Sequence, residues 1–296
     1  MKDKRMIFYR KLRLGLYALL GYVYKILVDL HLIAIPKLNK RKATNVIVSL
    51  TSYGRRVKTI VVYYTIVSLL RQKLQPDRIV LWLAEDEWTD DSIPPRLYKL
   101  KEKGVEICYC KDIKSYKKLV PTLKKYPTST IVTVDDDMIY SRDTLDVLLK
   151  EHEIHPHEIL CLDGRMPLIE NGLPKAYRDW EELDKETEGM LVFPVGVGGT
   201  LYPVGALANK VLSEDVFMSI CPMADDVWFW YCGIEKGTNK RFITKKGVNW
   251  TFDSLYQYFH KGSALTHSNS EMNQNDYQIK GLLRYYGYNT INDIMK

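Results

Sequence analysis

From Asn45 onward the chain alternates short runs of β-formers with stretches of helical spacing, and this alternation leaves it very few folds to adopt. Val46-Ile47-Val48-Ser49-Leu50 reads as a strand closed by the turn Thr51-Ser52-Tyr53-Gly54, and residues 58–73 read as a helix. A second strand is expected at Arg78 to Leu83, a helix start at Pro94-Pro95, and a third strand at Val105 to Cys108. A helix near Tyr116 to Tyr126 and a fourth strand at Thr130 to Val134 complete the pattern. Strands separated by helices at this spacing are parallel and joined by crossovers, which predicts an α/β sheet with helices on its faces. Ligands of such sheets bind beyond the carboxyl ends of the strands. Thr51, Ser52, Glu85, Asp86 and the run Asp135-Asp136-Asp137 all follow strands, so they converge on one crevice.

The aspartate run carries the most chemistry. Three like charges at a strand tip repel one another unless water or a cation absorbs the charge, so the spot is either a solvated turn or a divalent-metal site. The run follows the apolar Ile131-Val132-Thr133-Val134 and precedes Met138-Ile139-Tyr140 rather than turn residues, which favours the metal. Carboxylates at i and i+2 can share one hard cation, and that cation can hold a diphosphate.

Further candidates lie downstream. Asp225-Asp226, in Cys221-Pro222-Met223-Ala224-Asp225-Asp226-Val227-Trp228-Phe229-Trp230, begins an aromatic-rich helix, where acids also suit the helix dipole. Val195-Gly196-Val197-Gly198-Gly199-Thr200 lacks the Lys-Ser/Thr ending of a phosphate-binding P-loop. It reads either as a close backbone approach to a ligand or as a flexible turn before a helix. Lys114, Lys117 and Lys118 begin a helix after the third strand, with Lys118 chosen to reach a nucleotide or diphosphate. Trp228, Trp230 and Trp250 are sugar-stacking candidates, against the commoner reading as core aromatics.

Ser49-Leu50-Thr51-Ser52-Tyr53, Pro76-Asp77-Arg78-Ile79-Val80-Leu81 and Val134-Asp135-Asp136-Asp137 together resemble a nucleotide-sugar glycosyltransferase of the GT-A fold. Family-2-like bacterial enzymes that build surface polysaccharides are most similar, over roughly residues 44 to 270. The resemblance implies that a DxD-type motif ties Mn²⁺ or Mg²⁺ to the donor diphosphate. Asp137 is then the main metal ligand, Asp135 a contact to the ribose or the metal, and Asp136 the least certain of the three. Thr51, Glu85, Asp86, Lys118, Gly198 and Gly199 fall to the donor, and His267 completes the metal shell or touches phosphate. The acid pair Asp225 and Asp226 supplies the base that takes a proton from the acceptor hydroxyl, which implies inversion at the sugar. The implied reaction moves a hexose from a nucleoside-diphosphate sugar, UDP-linked, onto a lipid-linked or surface glycan.

The 296 residues carry a net charge of +7, unevenly spread. Residues 1 to 42 hold eleven Lys and Arg against Asp3 and Asp29, which is +9, so the rest sum to −2. A nucleic-acid binder carries its basic surface on the folded domain, so no nucleic-acid partner is expected. The uncharged stretch Leu14 to Tyr24 is shorter than the roughly 20 residues that cross a bilayer, and no small-residue cleavage site follows it. Residues 1–43 therefore read as a basic amphipathic segment for an anionic membrane surface, the alternatives being a helix packed on the catalytic domain and a short signal-anchor. Residues 44–296 read as that domain, with a nucleotide-binding half at 44–140 and an acceptor-binding half at 141–296. Cys108, Cys110, Cys161, Cys221 and Cys232 form no CxxC pair and suit free thiols, which places the enzyme in the cytoplasm at the inner face of the membrane. Two rivals stand beside this reading. One is a membrane-bound, non-catalytic sugar-nucleotide-binding scaffold. The other is a haloacid-dehalogenase-like phosphatase with Asp135 as nucleophile, whose motif normally opens its domain.

Overall fold

The computed structural model describes residues 4–38, 45–244, 250–251 and 274–295. The expected mixed, mainly parallel α/β sheet is present, and an N-terminal helix, α1 (Lys4–Asp29), precedes it. The strands β1 (Val46–Thr51), β2 (Arg78–Ala84), β3 (Val105–Cys110) and β4 (Thr130–Thr133) run parallel, with β1 between β2 and β4. A small pair joins β5 (Met138–Ile139) to the late strand β15 (Trp250–Thr251). The sheet continues through β6 (Ile159–Cys161) and, after minor strands β7 (Gly164–Met166), β8 (Ile169–Glu170), β9 (Leu173–Pro174) and β10 (Glu181–Glu182), takes in β11 (Thr187–Gly189). β12 (Phe193–Pro194) pairs with β7, while β13 (Thr200–Tyr202) and β14 (Lys240–Phe242) complete the eight-stranded order β11-β14-β6-β13-β4-β1-β2-β3. β13 runs against both its neighbours, and β11 against β14.

Helices cover the faces. Around β1 lie α2 (Gly54–Lys58) and α3 (Val61–Leu70); α4 (Pro95–Tyr98) follows β2, and α5 (Val120–Lys125) follows β3. α6 (Thr144–Ile154) leads into β6, and α7 (Glu214–Ile220), α8 (Asp225–Glu235) and α9 (Gln274–Tyr285) pack together on the later half. The helix expected over 58–73 is broken at Ile60, whose φ of 54 turns the chain between α2 and α3. Ten consecutive residues of α3 are buried, and its polar members, Thr65, Ser68 and Gln72 beyond its end, hydrogen-bond backbone groups at Asp136, Tyr140, Ser141 and, in the first turn of the helix at 144–154, Leu145. A buried helix tolerates such residues because each satisfies a loop group that would otherwise be buried unpaired.

The acidic stretch Asp179 to Glu188 carries β10 and enters edge strand β11. There Glu188 lies opposite Arg241 in the register, and Arg241 also pairs with Glu158 and Glu186. The glycine run leads into strand β13 rather than a helix, because Thr200 to Tyr202 fill the gap between β4 and β6. Trp228 and Trp230 are core residues whose ring N–H groups donate to the carbonyls of Val211 and Leu191. The five cysteines are free.

Candidate active site

Sheet register builds the site. Ser49 is opposite Thr133, so three residues further along each strand Ser52 meets Asp136, and its hydroxyl donates to Asp136 Oδ2 at 2.5 Å. β13 is antiparallel to β4, with Thr200 opposite Thr133, so the glycines that precede it lie over the same strand ends. Thr200 is also opposite Cys161, which brings Gly198 against Asp163. A Cβ on Gly198 would sit 2.7 Å from the Asp163 nitrogen, so only glycine fits.

Two built-in cations divide the three aspartates. Arg56, on α2, pairs with Asp136 and reaches Asp137 Oδ2 at 2.7 Å. Lys118 Nζ lies 3.4 Å from Asp135 Oδ1, 2.9 Å from Asp225 Oδ2 and 3.6 Å from Asp226 Oδ1. Lys118 reaches this point because Tyr116, two residues earlier, is locked in the aromatic core. Its ring stacks on Phe217 at 4.0 Å, and its hydroxyl donates to the Cys221 carbonyl at 2.6 Å, beside the turn that begins α8. Below, Thr122 bonds Ser49 and accepts the Trp82 indole N–H, fixing α5 to the sheet.

Tyr140 ties the aspartates to the glycine loop: it accepts the Asp135 N–H at 2.9 Å and donates to the Val197 carbonyl at 3.1 Å. The Gly196 N–H donates to Asp226 Oδ2 at 3.2 Å. The loop, the strand-end aspartate and the helix-start pair therefore meet around one ammonium.

Burial sets the charges. It pushes the Asp226 carboxyl up to about 7, against the pull of Lys118 and the Gly196 N–H and with Asp225 and Asp135 adding to the rise. Burial alone would lower Lys118, but Asp225, Asp226 and Asp135 outweigh it and hold the ammonium well above its ordinary value. Asp136 is raised by burial despite Arg56 and Ser52. Asp226 keeps 28% of its side chain exposed against 10% for Asp225, and it is the further from Lys118. It is the better placed of the pair to meet a substrate.

Of the other sequence candidates, Thr51 donates to the Trp82 carbonyl at 2.9 Å at the end of β1, while Glu85 and Asp86 follow β2 and are exposed. Lys114 and Lys117 share the short 3-10 helix of Lys118, and Lys117 pairs with Asp112 instead of the crevice. His267 and the side chain of Trp250 lie outside the described residues. Arg56 and Tyr140 escaped the sequence reading. The signal for Arg56 was a basic pair, Arg55-Arg56, directly after the turn that faces the acidic run.

A divalent cation has a partial donor set here. Asp135 and Asp137 keep 33% and 12% of their side chains exposed, with Asp137 sharing Arg56 with Asp136, which keeps 6% and is also held by Ser52. Among the described residues no group of three or more His, Cys, Asp and Glu forms a cage. One or two carboxylates completed by phosphate oxygens is nevertheless the usual Mg²⁺ arrangement, and Asp135 with Asp137 fits it.

No family model matches the chain, and no curated protein matches it. Among solved structures it is similar to S. aureus TarS 1-349, with 15% identity and a TM-score of 0.45 over 82% of this chain and 72% of that one. The same TarS portion in complex with UDP gives 13% identity and a TM-score of 0.47, over 83% and 73%. A CMP:2-keto-3-deoxy-manno-octonic acid synthetase complexed with CTP gives 10% identity and a TM-score of 0.42, over 74% and 97%.

Proposed function

We propose that the chain is a metal-dependent glycosyltransferase that moves a hexose from a nucleoside-diphosphate sugar, UDP-linked, to a hydroxyl of a lipid-linked or surface glycan. The observation that carries this reading is the convergence on Lys118 of Asp135, from the end of β4, with Asp225 and Asp226, from the start of α8. A donor-side acid and an acid pair suited to proton transfer thereby share one crevice at the carboxyl end of the sheet.

Asp226 acts as the base. With its carboxyl raised to about 7, it is half ionised near neutrality, where a general base is most effective. It takes the proton of the acceptor hydroxyl while that oxygen bonds to the anomeric carbon and the bond from that carbon to the diphosphate breaks. The nucleoside diphosphate leaves from the opposite face, so the sugar is inverted. Lys118 holds Asp225 and orients Asp226, and the Gly196 N–H fixes the second carboxylate oxygen. Asp135 and Asp137 would hold Mn²⁺ or Mg²⁺, which supplies charge neutralisation for the departing diphosphate. Glu85, Asp86 and Thr51, at the neighbouring strand ends, fall to the nucleotide. With a lipid-linked acceptor, the basic, apolar N-terminal segment would hold the enzyme at the inner face of the cytoplasmic membrane.

The test is a screen of nucleotide sugars for Mn²⁺- or Mg²⁺-dependent donor hydrolysis by the purified protein. UDP-sugars should be cleaved, and Asp137→Asn should abolish cleavage. Full activity in that variant would remove Asp137 from the metal site, and tight nucleotide binding without any hydrolysis or transfer would favour the scaffold.

A further inference from the structure

Helix α1 is apolar on two sides. Ala18, Tyr24 and Val28 are buried against the domain, with Tyr24 and Val28 part of the same core as α3. Asp29, at its end, accepts the Tyr64 hydroxyl at 2.8 Å and pairs with Arg96 at 2.6 Å. On the opposite side, Leu12, Leu16, Leu19, Val23, Ile26 and Leu30 stand 43 to 62% exposed. Their 4-3 spacing keeps them on one face. A surface helix normally turns polar and charged residues outward, so this outward apolar face lacks a cover.

We propose that α1 is a fixed membrane-docking element, held on the catalytic domain by its inner face and lying on an anionic lipid surface by its outer one. Charge and shape choose this occupant over a second copy of the chain. A coiled-coil seam is a narrow stripe flanked by paired opposite charges. Here the stripe is broadened by Gly15 and Tyr22, and no charge interrupts Leu14 to Tyr24. Both sequence ends of the segment are basic, from Lys2 to Arg13 and from Lys37 to Lys42, so two copies side by side would repel while anionic headgroups attract. Among the described residues no helix is long and apolar enough to cross a membrane, which suits a helix lying in the surface plane. Because the inner face belongs to the core, the element is rigid with the domain, and deleting residues 1–40 would uncover α3 rather than remove a tail.

The experiment is flotation of the full chain with phosphatidylcholine vesicles, with and without phosphatidylglycerol. The protein should float with the anionic vesicles, and less so at high salt. Leu19→Glu with Ile26→Glu should cut the bound fraction at least about tenfold while leaving the melting temperature unchanged, since both positions are exposed. Leu16→Ser with Leu19→Ser is the gentler second variant, should the charged pair impair folding. Failure of the native chain to float, or equal flotation of the folded variants, would overturn the proposal. So would a concentration-dependent dimer, seen by sedimentation, that these substitutions dissolve in a chain that does not float. UDP binding reports the reaction reading separately, so either can fail without the other.

Discussion

Lys118 and Asp225 form the most enclosed ion pair of the crevice, 2.9 Å apart with 8% and 10% of their side chains exposed. The pair joins α8 to the segment that precedes α5, and Lys118 is shared with Asp135 and Asp226. Removing one partner of a buried pair leaves the other charges uncompensated, which costs about 3–5 kcal/mol. Lys118→Met should therefore lower the melting temperature by roughly 10 °C, besides ending transfer. An unchanged melting curve would mean that solvent, not Lys118, carries these carboxylates.

Gly196 and Gly198, the two tight glycines of the loop before β13, should fail differently. A Cβ at Gly196 would meet Lys118 Nζ at 2.8 Å and Asp226 Oδ1 at 3.2 Å, groups at the ends of side chains that can give way. A Cβ at Gly198 would meet the backbone of Leu162 and Asp163 at 2.7 to 2.8 Å, which cannot. Gly196→Ala is expected to keep most of its stability and lose at least about tenfold in kcat, because the displaced groups are the base and the lysine that orients it. Gly198→Ala should lose stability first, by about 1–3 kcal/mol. Parallel melting and rate measurements on the two variants decide it, and the reverse ranking would contradict the loop geometry.

The parallel order of β1 to β4 was legible because each strand is a short apolar run and each connection has helical spacing. The strand-end location of Asp135 to Asp137 followed from that. Their partition between Arg56 and Lys118 was not legible, since it depends on register and on where two long side chains end, neither of which has a local signature. Thr65, Ser68 and Gln72 were hidden for a related reason: in sequence they look like interruptions of an apolar helix, and only the loop they bond gives them purpose. The short strands β11 and β13 were missed because pairing with distant neighbours, not composition, makes them strands.

If Asp226 is the base, the rate should follow its ionisation. With the carboxyl at about 7, kcat/KM should rise about tenfold per pH unit below that value and level off above it. Stability should run the other way. The folded protein holds the proton between about pH 4 and 7 while the unfolded chain has released it, so stability falls as pH rises through that window. Asp226→Asn removes both effects, giving an inactive protein that melts higher than the native one at pH 8. A pH profile flat from 5.5 to 8.5 would assign the proton transfer elsewhere.

Lys240 makes an independent pH test, away from the crevice. Its side chain is fully buried, its ammonium donates to the Met190 carbonyl at 2.7 Å, and no carboxylate is among the groups that shift it. Burial lowers it to about 7. Between about pH 7 and 10.5 the unfolded chain keeps the proton that the folded protein has lost, so native stability rises with pH across that window and the full penalty stands below pH 7. Lys240→Met removes the buried charge but leaves the Met190 carbonyl without its donor, a cost of about 1–3 kcal/mol at any pH. The variant should thus compare best with the native protein near pH 6.5 and worst near pH 10, the difference in melting temperature moving by about 5 °C or more in the native protein's favour. Thermal melts of both proteins at the two pH values measure it. A difference independent of pH would show that Lys240 stays charged in the fold, with the Met190 carbonyl and its neighbours compensating for its burial.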